Sequence, residues 1–216
     1  MKKHIVCFGD SNTYGYRADN NDRFSEEDRW TCLLGQKLGS DYLILEEGLP
    51  GRTTCFDDPI HEGLSGLSYI YPCLMSHGPV DLLVIMLGTN DTKERFGSSG
   101  ACIALGLKRL IAKAIATTDC WTDKKPNILV VTPKNIEKEY ENTAVGLTMG
   151  KGCAEKSEQL SVEYQKIAEL MGCHYFDANT VVKEYNHIDY MHLNEEGHAL
   201  LADALAGLIP TLVSFR

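Results

Sequence analysis

Four short segments, far apart in the chain, carry the residue types that acyl transfer requires. Gly9-Asp10-Ser11 offers a hydroxyl, and Asp189-Tyr190-Met191-His192 sets a carboxylate and an imidazole three residues apart. The other two are Gly51, within Glu47-Gly48-Leu49-Pro50-Gly51-Arg52-Thr53-Thr54, and Asn90, within Gly88-Thr89-Asn90-Asp91. A serine hydroxyl is a poor nucleophile until a base removes its proton. Neutral histidine does this near pH 7, while a carboxylate fixes its tautomer and stabilises the imidazolium. The oxyanion of the tetrahedral intermediate then needs hydrogen-bond donors. The backbone N–H of Ser11, the backbone N–H of Gly51 and the side-chain amide of Asn90 are the candidates. Glycine at 51 lets the backbone approach with no Cβ in the way.

Each segment also has a plainer reading. Gly9-Asp10-Ser11 taken alone is a strand-ending turn, where most serines cap the next helix. Asp189 and His192 taken alone are a loop carboxylate and a surface histidine. Asp10 is expected to bond N–H groups of its own turn, and Asp91 to cap the turn after Asn90. His198 reads as a packed or surface histidine. His61, His77, His174 and His187 have no partner at readable spacing and are read as structural. Arg52 either contacts substrate or pairs with one of the many acidic residues. Tyr14, Tyr16, Phe56 and Met191 either line an acyl pocket or belong to the core.

Alternating strands and helices must bring these segments together. His4 to Phe8 is a short buried strand that ends at Gly9, and Tyr42 to Glu46 is a second. Val80 to Leu87 is the most apolar run and fits the centre of a parallel sheet. Asn127 to Val131 and Cys173 to Phe176 complete five strands. Between them, helices are predicted over 29–38, around 67–75, over 101–117, over 155–171 and from the cap at Asn194 to about Leu208. The pattern is α/β, with right-handed crossovers placing helices on both faces of a parallel sheet. In such sheets ligands sit at the carboxyl ends of strands, which is where Ser11, Gly51 and Asn90 follow. Segments 16–28, 52–72 and 134–152 have no clear pattern. They set the depth of any pocket, and 134–151 is expected to pass over the sheet edge.

The 216 residues fit one domain, 1–216, with a substantial core. A net charge of −9 argues against a nucleic-acid or anionic-membrane partner, both of which need a basic surface. No apolar run is long enough for a membrane span, and no signal peptide is read at the N-terminus. Eight scattered cysteines with no Cys-x-x-Cys pair are read as reduced thiols of a cytoplasmic protein.

With the motifs Gly-Asp-Ser at 9–11, glycine at 51, Gly-Thr-Asn-Asp at 88–91 and Asp-x-x-His at 189–192 in this order, the chain resembles the SGNH (GDSL-type) hydrolases. The resemblance implies a flavodoxin-like three-layer α/β/α sandwich with a five-stranded parallel sheet and no metal or other cofactor. It implies Ser11 as nucleophile, Asp189 and His192 as its partners, and Ser11, Gly51 and Asn90 as the oxyanion hole. Segments 46–54, 56–60 and 84–93 look like the arylesterase and acyltransferase branch, which implies small acyl esters as substrates and a homo-oligomer. Asn12 stands where the commonest family motif has leucine, a difference that bears on substrate fit. Asn12, Arg52 and Met191 are accordingly carried forward as candidate substrate contacts.

Two other classes compete. A metal-dependent phosphoesterase would use ligands such as Asp10, Asn90, Asp91, His187, Asp189 and His192, but the early Asp-x-His and the Gly-Asn-His signatures of that class are missing. A non-catalytic binding module on the same fold would have no need for a base and an oxyanion donor together.

Overall fold

The computed structural model describes residues 2–213. The domain bounds expected at 1 and 216 therefore lie outside the described residues. Chain order is β1 (Lys3–Gly9), α1 (Ser11–Tyr14), β2 (Tyr16–Arg17), β3 (Asp22–Arg23), α2 (Trp30–Leu38), β4 (Tyr42–Gly48), α3 (Gly66–His77) and β5 (Leu82–Met86). It continues with α4 (Gly100–Ala116), β6 (Ile128–Thr132), α5 (Ala144–Met149), α6 (Cys153–Glu158), α7 (Leu160–Met171), β7 (His174–Asp177) and α8 (Glu195–Leu212). Five strands form one sheet in the order β4-β1-β5-β6-β7, with every pairing parallel. The flavodoxin-like α/β/α sandwich is thus the observed fold.

The layers follow from which side chains each strand sends to each face. On β1, Val6 and Phe8 enter one apolar cluster with α3, α4 and α7, while Ile5 and Cys7 enter another with α2 and α8. This is the period-2 alternation of a strand covered on both sides. All five residues of β5 are buried. Burying side chains of this kind is worth about 1.5–3 kcal/mol each, which fixes β5 at the sheet centre.

Register sets up the site. Gly9 lies opposite Gly48 on β4 and opposite Met86 on β5. Three strands therefore end level, and the turns after them rise from one edge.

Several boundaries differ from the sequence reading. The run from Val80 is a strand only from Leu82, with Val80 in an isolated bridge to Trp121 rather than in the sheet. The helix predicted over 155–171 is two helices, since the Gln159 N–H turns back to Lys156 and Ser157 carbonyls and closes α6. Segment 16–28 contains the small β2–β3 hairpin, whose strands are too short to leave an alternation. Segment 134–152 includes a 3-10 stretch at Lys138–Asn142 and the helix α5. The Asn194 cap is as expected: its side chain accepts from the Gly197 N–H.

Candidate active site

Ser11 opens α1 directly above β1. The Asp10 carboxylate accepts from the Asn12 N–H at 3.0 Å, and the Gly15 N–H closes the turn on the Ser11 carbonyl. A Cβ at Gly9 would lie 2.0 Å from Thr13 Oγ1 and 2.9 Å from the Met86 carbonyl. Only glycine lets α1 settle this closely on the sheet edge. The Ser11 N–H is a first-turn donor with no partner inside its own helix.

His192 reaches Ser11 from the loop before α8. Ser11 Oγ and His192 Nε2 are 2.8 Å apart, and His192 Nδ1 is 2.6 Å from Asp189 Oδ2. Burial raises the Asp189 carboxyl, but hydrogen bonds from His192, Asn186 and the Met191 N–H outweigh it and hold the group below the usual carboxylate range. An ionised carboxylate only accepts, so Nδ1 carries the proton and Nε2 is left to accept from the Ser11 hydroxyl. All three residues are buried.

The loop that presents His192 is fastened at both ends. The Asn186 amide donates to Asp189 Oδ1 at 3.0 Å and to the His192 carbonyl at 2.7 Å. Between them Tyr190 has φ 58°, a left-handed conformation costing about 1–3 kcal/mol for a bulky residue. Asn12 bridges from α1: its amide donates to the Met191 carbonyl at 3.1 Å and its Oδ1 accepts from the Leu193 N–H at 2.9 Å. Asn12 is therefore spent on this loop and does not line the cavity, contrary to the substrate contact expected of it. Sequence reasoning missed Asn186 altogether, although Asn three residues before an Asp is a legible loop-stapling signal.

Asn90 and Gly51 complete the edge. Asn90 Nδ2 is buried and has no hydrogen-bond partner among the described residues. Gly51 has φ 86°, so the turn after β4 takes a left-handed step there. The Asp91 carboxylate does not cap its own turn; it accepts from the Thr54 N–H at 2.9 Å and from the Thr54 hydroxyl at 2.5 Å. It thereby ties the Asn90 turn to the Gly51 loop. Burial pushes Asp91 up to about 7, against the Thr54 hydrogen bonds, and Asp10 up to about 6. Asp10 bonds a turn N–H, as expected.

Ser11, Gly51, Asn90 and His192 line one cavity of about 250 Å³. Met191 lines it as expected; Tyr16, left open between pocket and core, lines it too, and so does His61, which was read as structural, while Leu64, Lys93, Arg95 and Met149 are wall residues that sequence reasoning did not single out. Segments 16–28, 52–72 and 134–152 each contribute to this wall. Arg52 does not: its guanidinium donates to the Gly9 and Glu47 carbonyls and lies 4.3 Å from the Phe8 ring centre. Tyr14 stacks under Arg23 and Phe56 on Phe96, both away from the cavity. His198 is buried, where burial lowers it to about 3, and its Nδ1 accepts from the Trp30 N–H. The ligands a phosphoesterase would need are not gathered, since His187 is exposed beside Glu184 and Asp91 is held by Thr54.

Comparison with known proteins supplies the family. The model of the GDSL-like Lipase/Acylhydrolase family matches residues 7–200. The chain belongs to that family. An aryl esterase from M. smegmatis, solved with an inhibitor bound, is 35% identical, with 98% of this chain and 100% of that chain covered and a TM-score of 0.90. A carbohydrate acetylesterase from Sinorhizobium meliloti is 34% identical, covering 98% of this chain and 100% of that one, with a TM-score of 0.87. A lipase/acylhydrolase from Enterococcus faecalis, at 17% identity and a TM-score of 0.71 over 99% of this chain and 98% of that one, shares the fold. Comparison with curated proteins gave no match. The Gly-Asp-Ser block at 9–11 lies near the start of the matched region and the Asp-x-x-His block at 189–192 near its end.

Proposed function

We propose that this chain is a serine esterase that hydrolyses small esters of short acyl groups, working as one domain over 1–216. Ser11 Oγ attacks the ester carbonyl as His192 Nε2 takes its proton, and Asp189 holds the imidazolium that forms. The oxyanion is received by the N–H groups of Ser11 and Gly51 and by Asn90 Nδ2. Collapse expels the alcohol with a proton from His192 and leaves an acyl-enzyme on Ser11. Water, activated by the same imidazole, releases the acid; an alcohol in its place completes acyl transfer. The observation that carries the reading is the 2.8 Å contact between Ser11 Oγ and His192 Nε2, opening onto a cavity that also holds the unpartnered Asn90 amide. A cavity of about 250 Å³ favours short acyl groups. The similarity to an aryl esterase and to a carbohydrate acetylesterase supports ester hydrolysis as the reaction.

Ser11→Ala tests it. The variant should fold as the parent does, lose hydrolysis of 4-nitrophenyl acetate and escape labelling by a fluorophosphonate. Activity equal to the parent's ends the reading. A panel of acyl-chain lengths, run with and without added alcohol, separates hydrolysis from transfer.

Two further parts of the reading concern setting. All eight cysteines are free thiols, which favours a reducing, cytoplasmic location; no helix among the described residues is long and apolar enough to cross a membrane. The protein is read as a homo-oligomer, supported by exposed Ile60 and Leu147, which sit beside wall residues of the cavity.

A further inference from the structure

We propose that Glu47, Cys73 and His77 form a binding site for a thiophilic divalent cation such as zinc, outside the cavity that holds Ser11. The Cys73 sulfur, a ring nitrogen of His77 and a carboxylate oxygen of Glu47 all lie within 4.8 Å of one another. No other group of three such ligands is gathered this closely among the described residues. The proposal does not rest on the esterase reading.

The fold builds the cluster from two elements. Cys73 and His77 are four residues apart on α3, so they share one face a single turn apart. Glu47 comes from the end of β4, the edge strand beside β1. Tetrahedral zinc has bonds of about 2.0–2.3 Å to oxygen, nitrogen and sulfur. Such bonds place ligand atoms about 3.5 Å apart, so Cys73 closes in by about 1 Å while the hydrogen-bonded His77 and Glu47 atoms open by about as much.

The chemistry of the donor set selects the ion. Thiolate, imidazole and carboxylate together favour zinc over magnesium or calcium, which take oxygen ligands. His77 Nε2 lies 2.6 Å from Glu47 Oε1, so one proton now occupies the place between them that a cation would take. Burial, then the charge of Glu47, pushes the Cys73 thiol up to about 12; a bound cation displaces that proton as well. Arg52 lies close by and adds positive charge, so a cation is held only where the thiolate and carboxylate both form to offset it. Cys73 is buried, but the His77 and Glu47 side chains are 25% and 17% exposed. That opening gives a cation a route in and leaves the fourth position for water.

Cobalt(II) is the probe. One equivalent added to the reduced, metal-free full chain should give a near-ultraviolet thiolate-to-cobalt charge-transfer band, bleached by zinc. Cys73→Ser should abolish the band, and Ser11→Ala should retain it at full strength. Loss of a residue that merely orients a ligand costs about 10–100-fold in affinity, so His77→Gln should weaken cobalt binding at least that much while circular dichroism stays unchanged. No band, or a band that survives Cys73→Ser, overturns the proposal. Should Cys73→Ser fail to fold, the partly exposed His77 decides: unchanged cobalt affinity in His77→Gln overturns it equally.

Discussion

Asn90 Nδ2 is a buried donor with no acceptor among the described residues, and Asn90 lines the same cavity as Ser11 and His192. A charged oxyanion accepts from an amide N–H more strongly than a neutral ester carbonyl does, so on the proposed mechanism the amide favours the transition state over the bound ester. Asn90→Ala should therefore lower kcat by about 10²–10³ with little change in KM. Steady-state kinetics with 4-nitrophenyl acetate checks this, and an effect confined to KM contradicts it. The residues Ser11, Gly51, Asn90, Asp189 and His192 were legible because their chemistry demands particular side-chain types. Asn12 and Arg52 were misplaced because sequence gives a side chain's type but not its direction. Successive residues of a helix diverge by about 100°, so Asn12 turns from the cavity toward Met191 and Leu193. Arg52, one residue beyond Gly51, turns inward to the Gly9 carbonyl and the Phe8 ring.

Between elements, α1 and the 186–193 loop are joined by the two hydrogen bonds of Asn12. Asn12→Ala cuts both and leaves two backbone groups to find water, which should cost about 1–3 kcal/mol by urea denaturation. It should also lower kcat, since His192 is carried by the loop so released. A variant with unchanged kcat would show that Asn186 alone holds the imidazole. A second joint links α2 and α8, where neutral His198 accepts from the Trp30 N–H. Burial lowers His198 to about 3 in the folded protein against an ordinary value of 6.5. The unfolded chain therefore binds the extra proton between these values, and this contribution to stability is present above pH 6.5 and lost as pH falls toward 3. His198→Gln lacks the titration, so its urea midpoint should fall less than the parent's between pH 7 and pH 4.5. Strands were the most legible elements, because β5 is apolar throughout and β6 is apolar up to its closing Thr132. The hairpin, α5 and the break at Gln159 were not, because two to six residues carry too little periodicity to show a face.

For the molecule as a whole, light scattering should return a mass that is a multiple of the chain's own; a monomer would remove the oligomer from the reading. Much of the cavity wall was illegible in advance, since Leu64 and Met149 come from patternless segments and Lys93 and Arg95 from irregular turns after β5, and only the tertiary fold brings them together. The site spans the chain in another sense as well. Ser11 and His192 are 181 residues apart, yet all five strands of the sheet are complete by Asp177. A chain still being synthesised thus lacks both His192 and α8, whose Leu201, Leu205 and Ile209 cover the Ile5 and Cys7 face of the sheet, until the segment after Asp177 has emerged. On the proposed mechanism the Ser11 hydroxyl therefore gains its base only when that segment docks, in the same step that buries the Ile5 and Cys7 face of the sheet.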